Sequence, residues 1–484
     1  MNDEQRAAIR DNAKYLRQVR PIDPEEIHEY VAGQPHPAAV RQVLREEATD
    51  LGLLEREDGR FEPVEEGPTD LTFRGVEALP GGITRRIEDR LVEQYGPGWP
   101  DGESGDELRH LIREFKRRYL RGEPVTYDAP TALGYAIYHL PPYFAAAQYV
   151  LADLAADGLL PRHLRVLDVG AGVGGPALGV DALLPEDTLV EYHAVEPSDT
   201  ADLLESLLDE TGRNVHPTVH RERIEAFDPD EPYDLILCAN VLSELQEPVE
   251  ILADLLDALA DDGSLVAISP ADRNTAIGLR RIEREVEAQR DATVYAPSVR
   301  LWPGHRPGID SWSFDRKQSL EVPAFQRRLD EGERGPDPPP HPAGGEAPER
   351  HPGDGEFVNV DVQYAYSVLR TDGERAIEYS PNPERTAKMA EMEQHVTERI
   401  DCVGVKLSPN LADEGNSLFL VGDGSQRDDH FAVLTEPSAL NRPLERADYG
   451  DLLRFENVLV LWNGDEGAYN LVVDGETVVD RMPV

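Results

Sequence analysis

At 484 residues and 40% hydrophobic content the chain exceeds one ordinary domain and can bury real cores, so two to four domains are expected. Its 94 acidic against 48 basic residues give a formal charge of −46, with only five of the 48 being lysine; acid spread along the whole chain reads as adaptation to a high-salt cytoplasm and says nothing against a nucleic-acid partner. Two cysteines, Cys238 and Cys402, exclude a disulfide framework and a four-cysteine metal site, and without an apolar leader or an uncharged membrane-length stretch the expectation is a soluble cytoplasmic protein with no membrane partner.

Residues 1–66 read as a helical module with a small hairpin. Asp23 caps a helix with Pro24 in its first turn, and a second helix from His36 ends at Gly52. LLEREDGRFEPV is then strand, Asp-Gly turn, strand. Two helices and a wing resemble a winged helix-turn-helix. Arg41 and Arg45 offer a nucleic-acid contact, while the neighbouring Glu46 and Glu47 favour the alternative of protein docking or a purely structural wing. Residues 67–125 form a helical connector. In its stretch ELRHLIREFKRRYLRGE, Leu108, Leu111, Ile112 and Phe115 make an apolar face. Arg109, Arg113, Lys116, Arg117, Arg118 and Arg121 crowd the remainder, as a candidate RNA contact or as a solvated face paired with acids.

The third segment, 126–371, is organised around RVLDVGAGVGG. An apolar helix leads into a strand, Val166 and Leu167, that stops at Asp168; Gly170, Gly172, Gly174 and Gly175 follow, then a second apolar helix. That is the opening of a nucleotide-binding βαβ unit, where glycine lets backbone approach a ligand closely. LVEYHAVEPS ends its strand at Glu196, a carboxylate able to accept hydrogen bonds from ribose hydroxyls. A weak third strand, VHPTVHRERIEAF, precedes YDLILCANVLSEL with Asn240 at its turn; GSLVAISP and ATVYAPS are the fifth and sixth strands. A polar excursion over 299–356 separates them from a seventh, DVQYAYSVLR, and its Pro-, Gly- and acid-rich part, about 331–356, is expected to be disordered. Five short strands within 383–484 suggest a small, OB-like β-barrel.

Gly170, Gly172 and Gly175 satisfy the dinucleotide pattern GxGxxG, so a nicotinamide or flavin dehydrogenase is a rival reading. Three features point elsewhere: Asp168 two residues before the first glycine, the CANVLSEL turn after the fourth strand, and the sixth and seventh strands parted by an excursion. Together they resemble the class I S-adenosylmethionine-dependent methyltransferases, whose α/β, seven-stranded Rossmann-like core inserts its last strand antiparallel between the fifth and sixth. The resemblance implies a glycine loop (Gly170, Gly172, Gly174) along the methionine part of the cofactor, Asp168 facing its amino group and Glu196 holding the ribose. It likewise puts Ile224 and Glu225 beside the adenine and Asn240 near the sulfonium. No catalytic base is evident, D/N-P-P-Y is absent after the fourth strand, and Cys238 reads as a buried small hydrophobe.

Several segments resemble one family more closely, the methyltransferase-like proteins of the mitochondrial small ribosomal subunit and their prokaryotic relatives. HLPPYFAA is similar to that family's R-x-P-A-x-Y-A-A, with His139 at the arginine place; LILCANVLSEL, YAPSVRLWPGHRPGIDSWSFDRKQ and DVQYAYSVLR resemble its later motifs. In that family cysteines of the excursion ligate an iron–sulfur cluster. Here Ser298 and Ser313 stand at two such places and Trp302 or Pro303 at a third, so no cluster is expected. The resemblance implies small-subunit rRNA or the subunit itself as partner, with three readings: an rRNA methyltransferase, a cofactor-binding assembly factor without turnover, and a small-molecule methyltransferase. The flanking modules speak against the last.

Overall fold

The computed structural model describes residues 1–229, 231–334 and 353–483, with no side-chain description for Leu120. By packing, the chain divides into two compact units, residues 1–237 with 318–360, and 238–317 with 361–484.

The first unit begins with helices α1 (Asp3–Leu16), α2 (Pro24–Tyr30) and α3 (Pro37–Glu46), a one-turn α4 (Ala48–Leu51), and a hairpin of β1 (Leu53–Glu55) and β2 (Phe61–Pro63). The caps are local chemistry: Asn2 and Gln5 form a reciprocal capping box on α1, and Asp23 accepts the Glu25 N–H at the head of α2. Ile9, Ile22, Ile27, Val40, Leu44 and Phe61 close the module's own core. The hairpin then fastens to the sheet that follows: Asn214 accepts the Glu55 N–H at 2.8 Å, and Leu54 packs with Leu189. Arg41 and Arg45 both pair with Glu55, which is 2% exposed, so they hold the hairpin on its helix.

Helices α5 (Gly81–Tyr95) and α6 (Gly102–Arg121) make the connector, and α7 (Ala129–Tyr138) and α8 (Leu140–Ala156) lead into the core. α8 starts on Pro141 and Pro142, whose missing N–H groups would be orphans in a first turn anyway. It crosses α9 (Gly175–Leu183) at close range; a Cβ on Gly179 would lie 2.8 Å from the Phe144 carbonyl oxygen. Strand β3 (His163–Val169) is buried throughout after its first residue, as a strand covered on both faces must be. It pairs in parallel with β4 (Leu189–Val195) and with β6 (Tyr233–Ala239), and β5 (Val215–His220) lies outside β4; α10 (Ala201–Leu208) connects β4 to β5.

In the second unit, α11 (Pro248–Asp257) precedes β7 (Leu259–Pro270), α12 (Arg273–Gln289) and β8 (Thr293–Ala296). The two-residue β9 (Asp315–Arg316) pairs with β10 (Gln363–Arg370), which runs antiparallel to both β7 and β8. The strand order is β5-β4-β3-β6-β7-β10-β8. Counted within the core this is 3-2-1-4-5-7-6, with the last strand reversed and inserted as expected. The dinucleotide alternative fails here, because a Rossmann site needs a second parallel half in the order 3-2-1-4-5-6.

The C-terminal strands are β11 (Arg399–Lys406), β12 (Ser417–Gly422), β13 (His430–Leu434), β14 (Leu452–Asn463), β15 (Ala468–Val473) and β16 (Val478–Arg481). The first five close as β11-β12-β13-β15-β14 and back to β11, with β13 and β15 parallel, around Phe419, Val421, Phe455, Val460 and Leu471. The barrel is therefore a closed five-strand barrel, and β16 adds an outer strand on β14.

Two expectations need correction. Disorder over 331–356 fails at both ends: α13 (Ala324–Glu331) reaches into it, and the Asp330 carboxylate accepts N–H groups of Gly355 and Phe357 at 2.8 and 3.1 Å. Residues 335–352 lie outside the described residues. The basic face of α6 also loses Arg109, which is 0% exposed and donates to the carbonyls of Leu329 and Pro100.

Candidate active site

The register of two parallel strands builds the glycine site. Val169 of β3 lies opposite Val195 of β4, so the chains leaving both strands run side by side. The N–H groups of Gly170 and Ala171 donate to the Val195 carbonyl at 2.9 and 3.2 Å. Glu196, the next residue, accepts the Gly172 N–H on Oε2 at 2.8 Å and the Ser198 N–H on Oε1 at 2.9 Å. Gly170, Gly172 and Gly174 have φ of +67°, +55° and +84°, a region that side chains disfavour. Their surroundings differ. A Cβ on Gly174 would meet Leu204 at 2.7 Å, whereas one on Gly172 would find only the Gly170 carbonyl, 3.9 Å away. The loop is packed beneath and open above.

Asp168 closes the floor of this loop and is 1% exposed. Tyr192 donates its phenol to Oδ2 at 2.8 Å, while Oδ1 is buried with no hydrogen-bond partner among the described residues. Burial pushes the carboxyl up to about 7; the Tyr192 hydrogen bond opposes that shift and the Glu196 charge adds to it. Burial and Asp168 together raise the Tyr192 phenol well above its ordinary value. Sequence reasoning missed Tyr192, although a tyrosine inside an apolar strand needs an acceptor for its hydroxyl, and that was the available signal.

A pH dependence follows. The Asp168 pKa rises from 3.8 unfolded to about 7 folded, so its stabilising contribution is complete below about pH 4. It disappears as pH rises through 7 and the buried carboxyl has to ionise. Relative to Asp168→Asn, the cofactor-free wild type should lose on the order of 4 kcal/mol between pH 4 and 7. Urea unfolding of both proteins across that range measures it; parallel stability curves would contradict a buried, half-satisfied carboxyl.

Beside the loop, Tyr143 Cβ lies 3.0 Å from the place a Cβ on Gly175 would take. His139 stacks on Tyr143 with ring centroids 5.3 Å apart at 20°, and burial, assisted by Lys116, lowers its pKa to about 3. It is a neutral imidazole within an aromatic group containing Phe115, Tyr135 and Tyr138. The remaining expected residues stand at the ends of neighbouring strands. Glu225 is exposed on a single tight turn after β5, and Asn240 ends β6 with φ +60°, its N–H donating to Ile268 at 2.8 Å. Hydrogen bonds thus join Asp168, Gly170, Gly172 and Glu196 to β4 and to its exit.

In the excursion, Ser313 Oγ bonds the Tyr449 hydroxyl at 2.6 Å, Trp302 donates to Asp423 at 2.6 Å, and Ser298 is 1% exposed. Among the described residues no group of three or more His, Cys, Asp or Glu is arranged to hold a metal. Cys238 and Cys402 are both buried, and burial raises the Cys402 thiol far above its ordinary value. On α6, Arg113 pairs with Glu356, Arg117 and Arg118 with Glu114, Lys116 with the Tyr138 hydroxyl, and Arg121 lies 3.9 Å from Glu123. Among the described residues no helix is long and apolar enough to cross a membrane.

Residues 167–265 match the family model of a methyltransferase domain. That span opens one residue before Asp168 and closes inside β7, so it contains the whole glycine site. Residues 6–57 and 390–482 match the N-terminal and C-terminal domains of a domain of unknown function, DUF8157. A comparison with curated proteins finds no match. Among solved structures the chain is similar to the YcgJ protein of Bacillus subtilis at 21% identity, over 26% of this chain and half of that one, with a TM-score of 0.22. It is similar to the plantazolicin methyltransferase BpumL in complex with SAH at 15%, over 44% of this chain and 82% of that one, with a TM-score of 0.27. A third is the mitomycin 7-O-methyltransferase MmcR, at 18% over 55% of this chain and 75% of that one, with a TM-score of 0.23. At such TM-scores these likenesses have no bearing on substrate or mechanism.

Proposed function

We propose that the chain is an S-adenosylmethionine-dependent methyltransferase whose acceptor is RNA of the small ribosomal subunit. One observation carries the cofactor assignment: a buried, unpartnered carboxylate oxygen on Asp168 lies at the foot of a glycine loop that is open at Gly172. Oδ1 keeps the capacity to accept a hydrogen bond from a cationic amino group, which would lower the raised Asp168 pKa and stabilise the ionised form. Glu196 already accepts two loop amides, but a carboxylate carries about four acceptor sites, so two remain for ribose hydroxyls. The bound cofactor supplies a methyl group that is already activated, which leaves the protein to align donor and acceptor.

The acceptor assignment is supported by different features. The excursion and the seventh strand resemble the mitochondrial small-subunit family. The closed five-strand barrel, with its parallel third and fifth strands, supports an OB-type reading, and OB folds are frequent RNA-binding modules. The second reading is cofactor binding without turnover during subunit assembly, for which the same Asp168 and Glu196 acceptors suffice.

Calorimetry in high salt should show saturable S-adenosylmethionine binding that tightens as pH rises to about 7 and Asp168 ionises. Tight NADH binding in its place would sink the cofactor assignment. Labelled-methyl transfer to small subunits from a strain lacking the protein then decides the acceptor. Label in the rRNA supports the enzyme, and co-sedimentation with free subunits without label supports the assembly factor.

A further inference from the structure

Away from the glycine loop, a cavity of about 540 Å³ in the second unit is lined by Arg300, Trp302, His305, Arg306, Arg375 and Ser380 among others. None of its lining residues is acidic, in a chain carrying 94 aspartates and glutamates. Behind it stands Glu287 of α12, whose side chain is 3% exposed and takes both prongs of Arg300: Nε to Oε1 at 2.7 Å and Nη2 to Oε2 at 2.9 Å. Arg306 and Arg375 each come within 4.0 Å of the same carboxylate. Three guanidiniums therefore share one negative charge. The Lys388 ammonium adds a fourth cation, 2.6 Å from His305 Nε2 and 5.2 Å from the centre of the Trp302 ring.

A structural ion pair does not require this. Arg300 and Glu287 already satisfy each other bidentately, and further cations crowded around one buried carboxylate repel one another. Arg300 is itself only 7% exposed, and its third nitrogen, Nη1, is buried with no hydrogen-bond partner among the described residues. An unmet donor on a buried cation costs free energy unless something accepts from it.

We propose that this cavity is an anion site that takes a phosphate group, held by Arg300, Arg306 and Arg375. A phosphate offers several acceptor oxygens to planar guanidinium forks and supplies the negative charge the cluster lacks. The site neither includes nor depends on the methyl-transfer residues.

The test uses the full chain and two probes, inorganic phosphate and a short single-stranded oligoribonucleotide, at fixed chloride concentration. Phosphorus NMR titration should show saturable phosphate binding, and Arg306→Ala with Arg375→Ala should weaken it at least tenfold while S-adenosylmethionine binding stays unchanged. If the oligoribonucleotide displaces phosphate, the physiological ligand is a nucleic-acid phosphodiester; if it does not, the ligand is a free phosphate or monoester. Absence of saturable binding in the wild type, or unaltered affinity in the double variant, overturns the proposal. Should the double variant lose its melting transition, Arg306→Ala alone decides, since that side chain is 60% exposed and its loss leaves the Arg300–Glu287 pair intact.

Discussion

Gly172→Arg is expected to abolish measurable S-adenosylmethionine binding, a loss of about 100-fold or more, in a protein that still folds. The backbone at this position has φ +55°, so any side chain costs roughly 1–2 kcal/mol of left-handed strain. Little else is lost, because the Gly172 N–H still reaches Glu196 and no neighbour stands nearer to the new Cβ than the Gly170 oxygen at 3.9 Å. The arginine would instead fill the space above the loop. Gly174→Arg is the informative contrast: its Cβ would sit 2.7 Å from Leu204, so that variant should lower the melting temperature before binding is even considered. Calorimetry paired with thermal melts separates the two, and wild-type affinity in Gly172→Arg would mean that the open face is not where the cofactor sits.

Glu287→Ala should destabilise the protein by about 3–5 kcal/mol, the typical cost of stripping one partner from a buried ion pair. The substitution leaves Arg300 buried and facing Arg306 and Arg375 with no counter-charge. Since folded proteins are stable by only roughly 5–15 kcal/mol, the variant should unfold at much lower denaturant. Replacing Glu287 and Arg300 together by methionine should cost less than the single change, because no uncompensated charge then remains. Denaturant midpoints measure both. A Glu287→Ala protein within 1 kcal/mol of wild type would show that the guanidiniums are held by something other than this carboxylate.

The glycine site was largely legible because its signals are short-range. An apolar run stopping at Asp168, glycines at alternate positions and a carboxylate at the next strand end each depend on a few neighbouring residues. Even so, the sequence pointed to Glu196 as a ribose ligand, and the structure shows it capping two loop amides with acceptor capacity to spare. Arg109 shows the opposite case. Its place on a basic helical face suggested an exposed contact, yet besides Asp106 on the same helix its partners are the carbonyls of Pro100 and Leu329, and the last lies 220 residues away.

Helix α12 marks the limit most clearly. Its buried positions, Ala276, Leu279, Arg280, Glu283, Val286 and Glu287, follow helical spacing, but three of the six are charged. No hydrophobic pattern selects such a face: Arg280 and Glu283 pair one turn apart on the helix, but Arg280 also donates to the Tyr366 carbonyl and Glu287 receives Arg300, and both of those partners come from elsewhere in the chain. From residue order alone the chain determined the strand sequence, the glycine loop and the pair of strand-end carboxylates, because backbone turns and apolar runs are local properties. Tertiary structure alone decided the partner of Asp168, the burial of Arg109 and the convergence of three arginines on Glu287, because the energy of a buried charge depends on groups that only folding brings within reach.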